Sequence, residues 1–98
     1  MRRGTTPTIT ITTDLDLTQA SNLFVTFKQG DRVVFEKTLD DVTVRETQVV
    51  CELSQNDTLT LRDGKPVRFQ IRATLGDSKV ASNVMATSVG EILKGGMI

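Results

Sequence analysis

The stretch that decides the fold is Val67-Arg68-Phe69-Gln70-Ile71-Arg72-Ala73, in which apolar and polar residues alternate without interruption. Successive side chains of a β-strand point to opposite faces of the sheet, so this alternation predicts a half-buried strand. We expect the four apolar side chains, of which Phe69 is the largest, to face the core. The three polar side chains then face outward.

These outward residues, Arg68, Gln70 and Arg72, have two interpretations that the sequence leaves open. Carboxylates on a neighbouring strand can pair with the two arginines, which is the commoner arrangement on a solvated sheet face. The sharper alternative is a docking surface for a partner.

Shorter runs of the same period occur along the rest of the chain. In Thr8–Thr12 the isoleucines are predicted to face inward and the threonines outward. Residues 22–29 carry large side chains on both faces, which predicts a central strand covered on both sides. Further strands are predicted over residues 32–39, 42–45, 47–53 and 79–87, with hairpin turns at Gly30-Asp31 and Gly76-Asp77.

Two short helical segments are predicted from capping boxes, in which a serine is followed three residues later by an acidic residue. The first begins at Ser54, with Asp57 as its acidic partner. The second begins at Ser88, with Glu91 as its partner, and ends at Gly95, since glycine commonly follows the last turn of a helix.

Short strands separated by frequent turns, without a long amphipathic helix, indicate an all-β fold. We predict a single immunoglobulin-like antiparallel β-sandwich of about seven strands with a short C-terminal helical turn. A closed barrel is the second architecture. One domain is predicted over residues 1–98, with residues 1–7 and 95–98 as flexible ends.

The composition argues against catalysis. The chain has no His, Trp or Tyr and a single Cys, so the commonest general base and metal ligand is absent. We therefore predict no enzyme activity, no catalytic residues, no cofactor and no metal. The 12 basic and 12 acidic residues cancel, which predicts no basic surface for nucleic acid and no polybasic cluster for a membrane.

Three residues are of types that can form a metal site or a reactive thiol, namely Asp14, Asp16 and Cys51. Asp14 and Asp16 could offer oxygen ligands to a hard cation, but the further ligands of a calcium loop are missing, so solvated loop carboxylates are expected. Cys51 lies in an apolar run and is expected to be a buried, unreactive thiol.

The opening residues Met1-Arg2-Arg3-Gly4-Thr5-Thr6-Pro7-Thr8 resemble the start of a family of small phage and prophage proteins of gut Firmicutes. The segments 53–59 and 67–72 are also similar to that family. The turn Gly76-Asp77, with Ser82, Val89 and Leu93, extends the resemblance over the whole chain. The resemblance implies a virion structural protein of the tail or baseplate, and it implies no catalytic or cofactor residues.

The function expected from these observations is a non-enzymatic structural or assembly module of a phage or prophage particle, acting through protein–protein contacts. The alternative is a stand-alone immunoglobulin-like binding domain for carbohydrate or a host protein. The expected partners are the protein itself or other virion proteins, with no nucleic acid and no membrane. Residues 5–13 are predicted to build part of an oligomer or of a partner-dependent assembly, because an unpaired strand edge recruits another strand. The alternative is an ordinary first strand within one sandwich. The protein is also expected to be made in the bacterial cytoplasm without a signal peptide and to be incorporated into a virion.

Overall fold

A computed structural model describes residues 1–98 as an all-β chain whose eight strands form two antiparallel sheets. The strands are β1 (Thr8–Thr12), β2 (Ala20–Gln29), β3 (Arg32–Thr38), β4 (Val42–Arg45), β5 (Gln48–Glu52), β6 (Val67–Leu75), β7 (Ser78–Ala81) and β8 (Met85–Thr87). One helix, α1 (Gln55–Leu59), follows β5, and no helix of the structure is long and apolar enough to cross a membrane.

Sheet 1 contains three strands in the order β1-β5-β4, and sheet 2 contains the other five. In sheet 2 the order is β3-β2-β6-β7, and β8 pairs with β6 on the same side as β7. A short 3-10 turn, Leu39–Asp41, carries the chain from β3 to β4 and therefore from one sheet to the other. The Asp41 carboxylate holds this turn by accepting hydrogen bonds from the Thr38 amide and hydroxyl.

Both sheets contribute to a single core of 14 buried apolar side chains. At its centre the ring of Phe27 stacks on Phe35 and Phe69, with centroid distances of 4.4 and 5.3 Å. Sheet 1 supplies Ile11, Val49 and Cys51 to the same core. Burying these side chains away from water is the main force that holds the two sheets together.

The strand assignments with the cleanest alternation are confirmed. All four apolar residues from Val67 to Ala73 are buried in β6, and in β1 Ile11 is buried while the threonines are exposed. The prediction that residues 22–29 are covered on both faces is wrong. Strand β2 is central within its sheet, but its second face is open, and Phe24 keeps 38% of its surface exposed.

The strand predicted over residues 79–87 is two strands, so the structure has eight strands where about seven were predicted. The interruption lies at Ser82, whose hydroxyl oxygen accepts the hydrogen bond of the Ile71 amide at 3.0 Å. A side chain thus takes the place of a backbone carbonyl in the ladder. The chain leaves the regular path there and resumes pairing with β6 at Met85.

The helix that begins at Ser54 is confirmed, with both hydrogen bonds of the capping box present. The C-terminal helical turn predicted from Ser88 is wrong, because residues 88–98 contain no helix. Val89 is buried instead, and Gly90 forms a parallel bridge with Arg2. Pairing with the first residues of the chain satisfies backbone groups that an isolated single turn would have to satisfy alone.

Candidate functional site

The outward face of sheet 2 is the first candidate surface, and β6 lies at its centre. Arg68 and Arg72 are exposed on β6, as predicted. Their neighbours on β2 are Lys28 and Phe24, and their neighbours on the other side are Ala86 and Ala81. No carboxylate stands opposite either arginine, so the interpretation of these residues as members of ion pairs is wrong.

The basic face, defined as Lys28, Arg68, Arg72 and Lys79, results from strand register. Glu36 is the only acidic residue in the strands of sheet 2, and it accepts a 2.7 Å hydrogen bond from the Thr26 hydroxyl. Four cations and one carboxylate give this surface a net charge of about +3 at neutral pH. The expectation that the chain has no basic surface is therefore wrong, whereas the absence of nucleic-acid binding stays a prediction.

Like charges meet within this face. Lys28 and Arg68 are directly opposite each other across β2 and β6, an arrangement that destabilises a sheet. Arg68 is held by a 2.8 Å hydrogen bond from its guanidinium to the Gly30 carbonyl oxygen. Next to these cations lies a depression of about 460 Å³, whose lining includes Gln70 and the exposed Val84.

The free edge of β1 is the second candidate surface. Strand β1 pairs only with β5, and the bonds from the Leu53 amide to the Pro7 carbonyl and from the Thr13 amide to the Thr47 carbonyl fix the phase of the ladder. Because backbone groups alternate between the two edges of a strand, those of Thr8, Thr10 and Thr12 point away from β5. Their donors and acceptors have no partner in the chain.

The sequence-derived candidates for chemistry do not form one site, because Asp14 and Asp16 lie in the exposed β1–β2 loop and Cys51 lies in the core. Asp16 lies in the β1–β2 loop, where its Oδ1 accepts hydrogen bonds from the Thr18 hydroxyl (2.7 Å) and amide (3.0 Å). These bonds lower the pKa of Asp16. Three or more His, Cys, Asp or Glu side chains come together nowhere in the structure in a metal-binding arrangement. That the protein needs no metal for its function stays a prediction.

Cys51 is fully buried in the core, as predicted. Burial raises the pKa of its thiol to about 11, and the nearby positive charge of Lys37 offsets only part of that rise. The thiolate, which is the nucleophilic form, is therefore scarce at neutral pH.

Sequence reasoning missed one charged pair. Lys37 on β3 and Asp57 on α1 form the only salt bridge of the structure, with 2.6 Å between Nζ and Oδ2. Burial raises the pKa of Asp57, but the hydrogen bonds from Lys37 and the Ser54 amide, together with the Lys37 charge, outweigh it and lower the pKa. The partners are 20 positions apart in the sequence, so no local pattern indicates this contact.

Comparisons with protein-family models, with curated proteins and with solved structures found no match.

Proposed function

We propose that this protein is a non-enzymatic structural or assembly module of a phage or prophage particle, and that it works through protein–protein contacts. The resemblance of the opening octet and of residues 53–59 and 67–72 to phage proteins supports the particle. The observation that carries the assembly role is the free edge of β1. We further propose that the two sheets form an immunoglobulin-like sandwich, made in the bacterial cytoplasm and incorporated into the virion.

The edge of β1 lacks the devices with which proteins usually protect a sheet edge. Its five residues include no charged side chain, no proline and no bulge. By contrast, the edge strand β3 contains a bulge opposite Lys28 and three charged residues. Strands β4, β7 and β8 are only three or four residues long. Short, charged or bulged edges resist pairing with another chain, whereas a regular uncharged edge invites it.

The partner at this edge is a second copy of the chain. Two β1 strands can pair antiparallel around a twofold axis, because an isologous contact joins the same surface of both copies. The two three-stranded sheets then become one continuous sheet. Backbone hydrogen bonds supply the contact, and the exposed hydroxyls of Thr8, Thr10 and Thr12 can add to it.

The test is sedimentation velocity over a concentration series in about 300 mM NaCl, where contacts between exposed charges are screened. Thr10→Pro removes a backbone donor that faces the free edge and leaves the ladder to β5 intact. Thr10→Ala is the matched control, since it removes the side chain and keeps the donor. We expect the wild type and Thr10→Ala to associate and Thr10→Pro to stay monomeric with the same circular dichroism spectrum.

A wild-type chain that remains monomeric to high micromolar concentration contradicts the proposal. Association that is unchanged in a folded Thr10→Pro variant contradicts it equally, because the contact then lies elsewhere.

The alternative function, a stand-alone immunoglobulin-like domain that binds carbohydrate or a host protein, has one observation in its favour. Phe24 is the most exposed aromatic ring of the chain and lies beside Arg72 on the open face of sheet 2. Aromatic rings often provide the platform for a sugar. Binding to a glycan array that is lost in Phe24→Ala supports this alternative over assembly.

A further inference from the structure

Charge is segregated over this molecule although its net charge is zero. The basic face of sheet 2 carries about +3, so the remainder of the chain carries the opposite charge. Much of the negative charge lies at one end, which we call the acidic end and define as Asp14, Asp16, Glu46 and Asp77. With Arg45, which precedes Glu46, this end carries about −3 at neutral pH.

Backbone contacts hold the acidic end together. The Leu17 amide donates to the Glu46 carbonyl at 2.9 Å, which places the β1–β2 loop against the β4–β5 turn. The pairing of Ala20 with Leu75 brings the β6–β7 turn, with Asp77, to the same end. The acidic residues are therefore presented from three fixed turns.

We infer that the basic face of one copy docks the acidic end of a second copy, head to tail. This inference rests on the proposed assembly function but uses surfaces other than the edge of β1. Charge complementarity supports this contact, because two surfaces of nearly equal and opposite charge occur on one chain, and neither is neutralised within it. Such complementarity steers two proteins together and fixes their relative orientation.

The basic face fits an acidic protein surface better than a nucleic acid. Proteins that bind single strands combine a basic groove with several stacking aromatic rings, whereas this face presents only Phe24. A carboxylate, Glu36, also lies on it and would repel phosphates. The spacing of the cations suits carboxylates presented from separate turns. The Cα atoms of Arg68 and Arg72 are about 13 Å apart along β6, and the Cα atom of Lys28 lies about 5.5 Å from that of Arg68 on the next strand.

A head-to-tail contact differs from the twofold contact at β1 in its consequence. It joins two different surfaces, so a pair of copies keeps one free basic face and one free acidic end. The contact therefore continues from copy to copy, either until a ring closes or as a filament. Rings and filaments are both arrangements in which a particle contains many copies of one protein.

The experiment uses two charge-reversed forms of the full chain. The face variant carries Arg68→Glu and Arg72→Glu, and the end variant carries Asp14→Lys and Asp16→Lys. All four side chains are exposed, so both variants are expected to keep the wild-type circular dichroism spectrum. Arg72→Glu with Lys79→Glu is a second face variant that preserves the bond of Arg68 to Gly30. Each form also carries Thr10→Pro, which removes the contact at β1.

Sedimentation in about 20 mM and about 300 mM NaCl then measures the head-to-tail contact alone. We expect the Thr10→Pro background to associate at low salt, and we expect its association constant to fall at least about tenfold at high salt. The association constant of each charge-reversed form alone should be at least about tenfold lower at low salt, because like charges then face each other. Mixing a face variant with the end variant should restore association, since each basic surface again meets an acidic one.

Three results overturn the inference. The first is the absence of salt-dependent association in the Thr10→Pro background, and the second is a mixture of reversed variants that does not associate. The third is binding of a fluorescent oligothymidylate to the wild type that is lost in the face variant, which assigns the basic face to nucleic acid. The edge of β1 is tested separately at high salt, so failure here leaves that test unaffected.

Discussion

Replacing Asp57 by Asn should remove a large part of the stability of the link between sheet 2 and α1. The Asp57 carboxylate accepts a 2.6 Å hydrogen bond from the Lys37 ammonium and a 2.9 Å bond from the Ser54 amide. The first bond joins β3 to α1, and the second is half of the capping box. Both side chains are less than one-fifth exposed, so solvent screens the pair only in part.

The magnitude follows from these two contacts. The asparagine side chain keeps a neutral oxygen that can accept from the Ser54 amide, so weakening of the capping bond costs at most about 1 kcal/mol. Loss of a charge-assisted bond in a partly buried pair costs about 1 to 2 kcal/mol, in part because the Lys37 ammonium is left without its partner. A total of about 1 to 3 kcal/mol corresponds to a fall in Tm of about 5 to 20 °C for a domain of this size.

The same contact predicts a pH dependence. Because the folded-state pKa of Asp57 is lowered, its contribution to stability is fully present above the unfolded pKa of about 3.9. It is lost as the pH falls through the lower, folded value. Urea unfolding from pH 7 down to pH 2 measures this loss. The Asp57→Asn variant should begin less stable and lose less as the pH falls, while Asp63→Asn, at an exposed loop residue, should follow the wild type.

A free energy of unfolding for Asp57→Asn within about 0.5 kcal/mol of the wild type at pH 7 refutes this reasoning. The same holds if Lys37→Met and Asp57→Asn have strictly additive effects, since partners in contact should show a coupling energy.

Three further predictions concern the core, one turn and the loop carboxylates. Phe69→Ala should destabilise the fold by about 3 to 5 kcal/mol in urea unfolding, because Phe69 stacks on the central ring of the core, while Arg72→Ala should stay within about 1 kcal/mol. Equal effects would contradict the burial of β6. Glu46 has a positive φ of 49°, so Glu46→Asn should raise stability by about 0.5 to 1 kcal/mol, and a loss would count against that turn. Neither calcium nor EDTA should change the Tm, and a calcium-induced rise of several degrees would assign Asp14 and Asp16 to a metal site.

Local alternation was a reliable guide where one face of a strand is buried and the other is exposed. Both β1 and β6 have this pattern, and both lie where the sequence predicted them. Alternation is a poor guide at β2, because a large side chain at Phe24 predicts a covered second face, whereas Phe24 is exposed. A large apolar side chain at an outward position can equally remain exposed, and the sequence alone does not distinguish these cases.

Contacts between distant residues were beyond the reach of local patterns. Ser82 interrupts the last strand because its hydroxyl bonds to the amide of Ile71, and only the pairing of the strands reveals that geometry. The Ser88 capping box has the right spacing for a helix, but pairing of Gly90 with Arg2 prevails over a weak local preference.

The basic face could not be predicted from local sequence patterns for a related reason. Its four residues are scattered between positions 28 and 79 of a chain whose net charge is zero. Register places Lys28 opposite Arg68, and strand parity places Arg72 and Lys79 on the same side. The sequence predicts residues 5–13 as a contact because a threonine-rich segment with alternating isoleucines presents free backbone groups unless it lies inside a sheet. The structure adds that this edge has no partner within the chain.

Amide hydrogen exchange, measured by NMR at low and high protein concentration, shows whether the edge of β1 is the assembly contact. In dilute solution the amides of Ile9 and Ile11, which face β5, should exchange slowly, and those of Thr8, Thr10 and Thr12 should exchange rapidly. At high concentration we expect new protection of the threonine amides, with no comparable change at the edge of β4. Threonine amides that exchange equally fast in the associated protein would contradict the account.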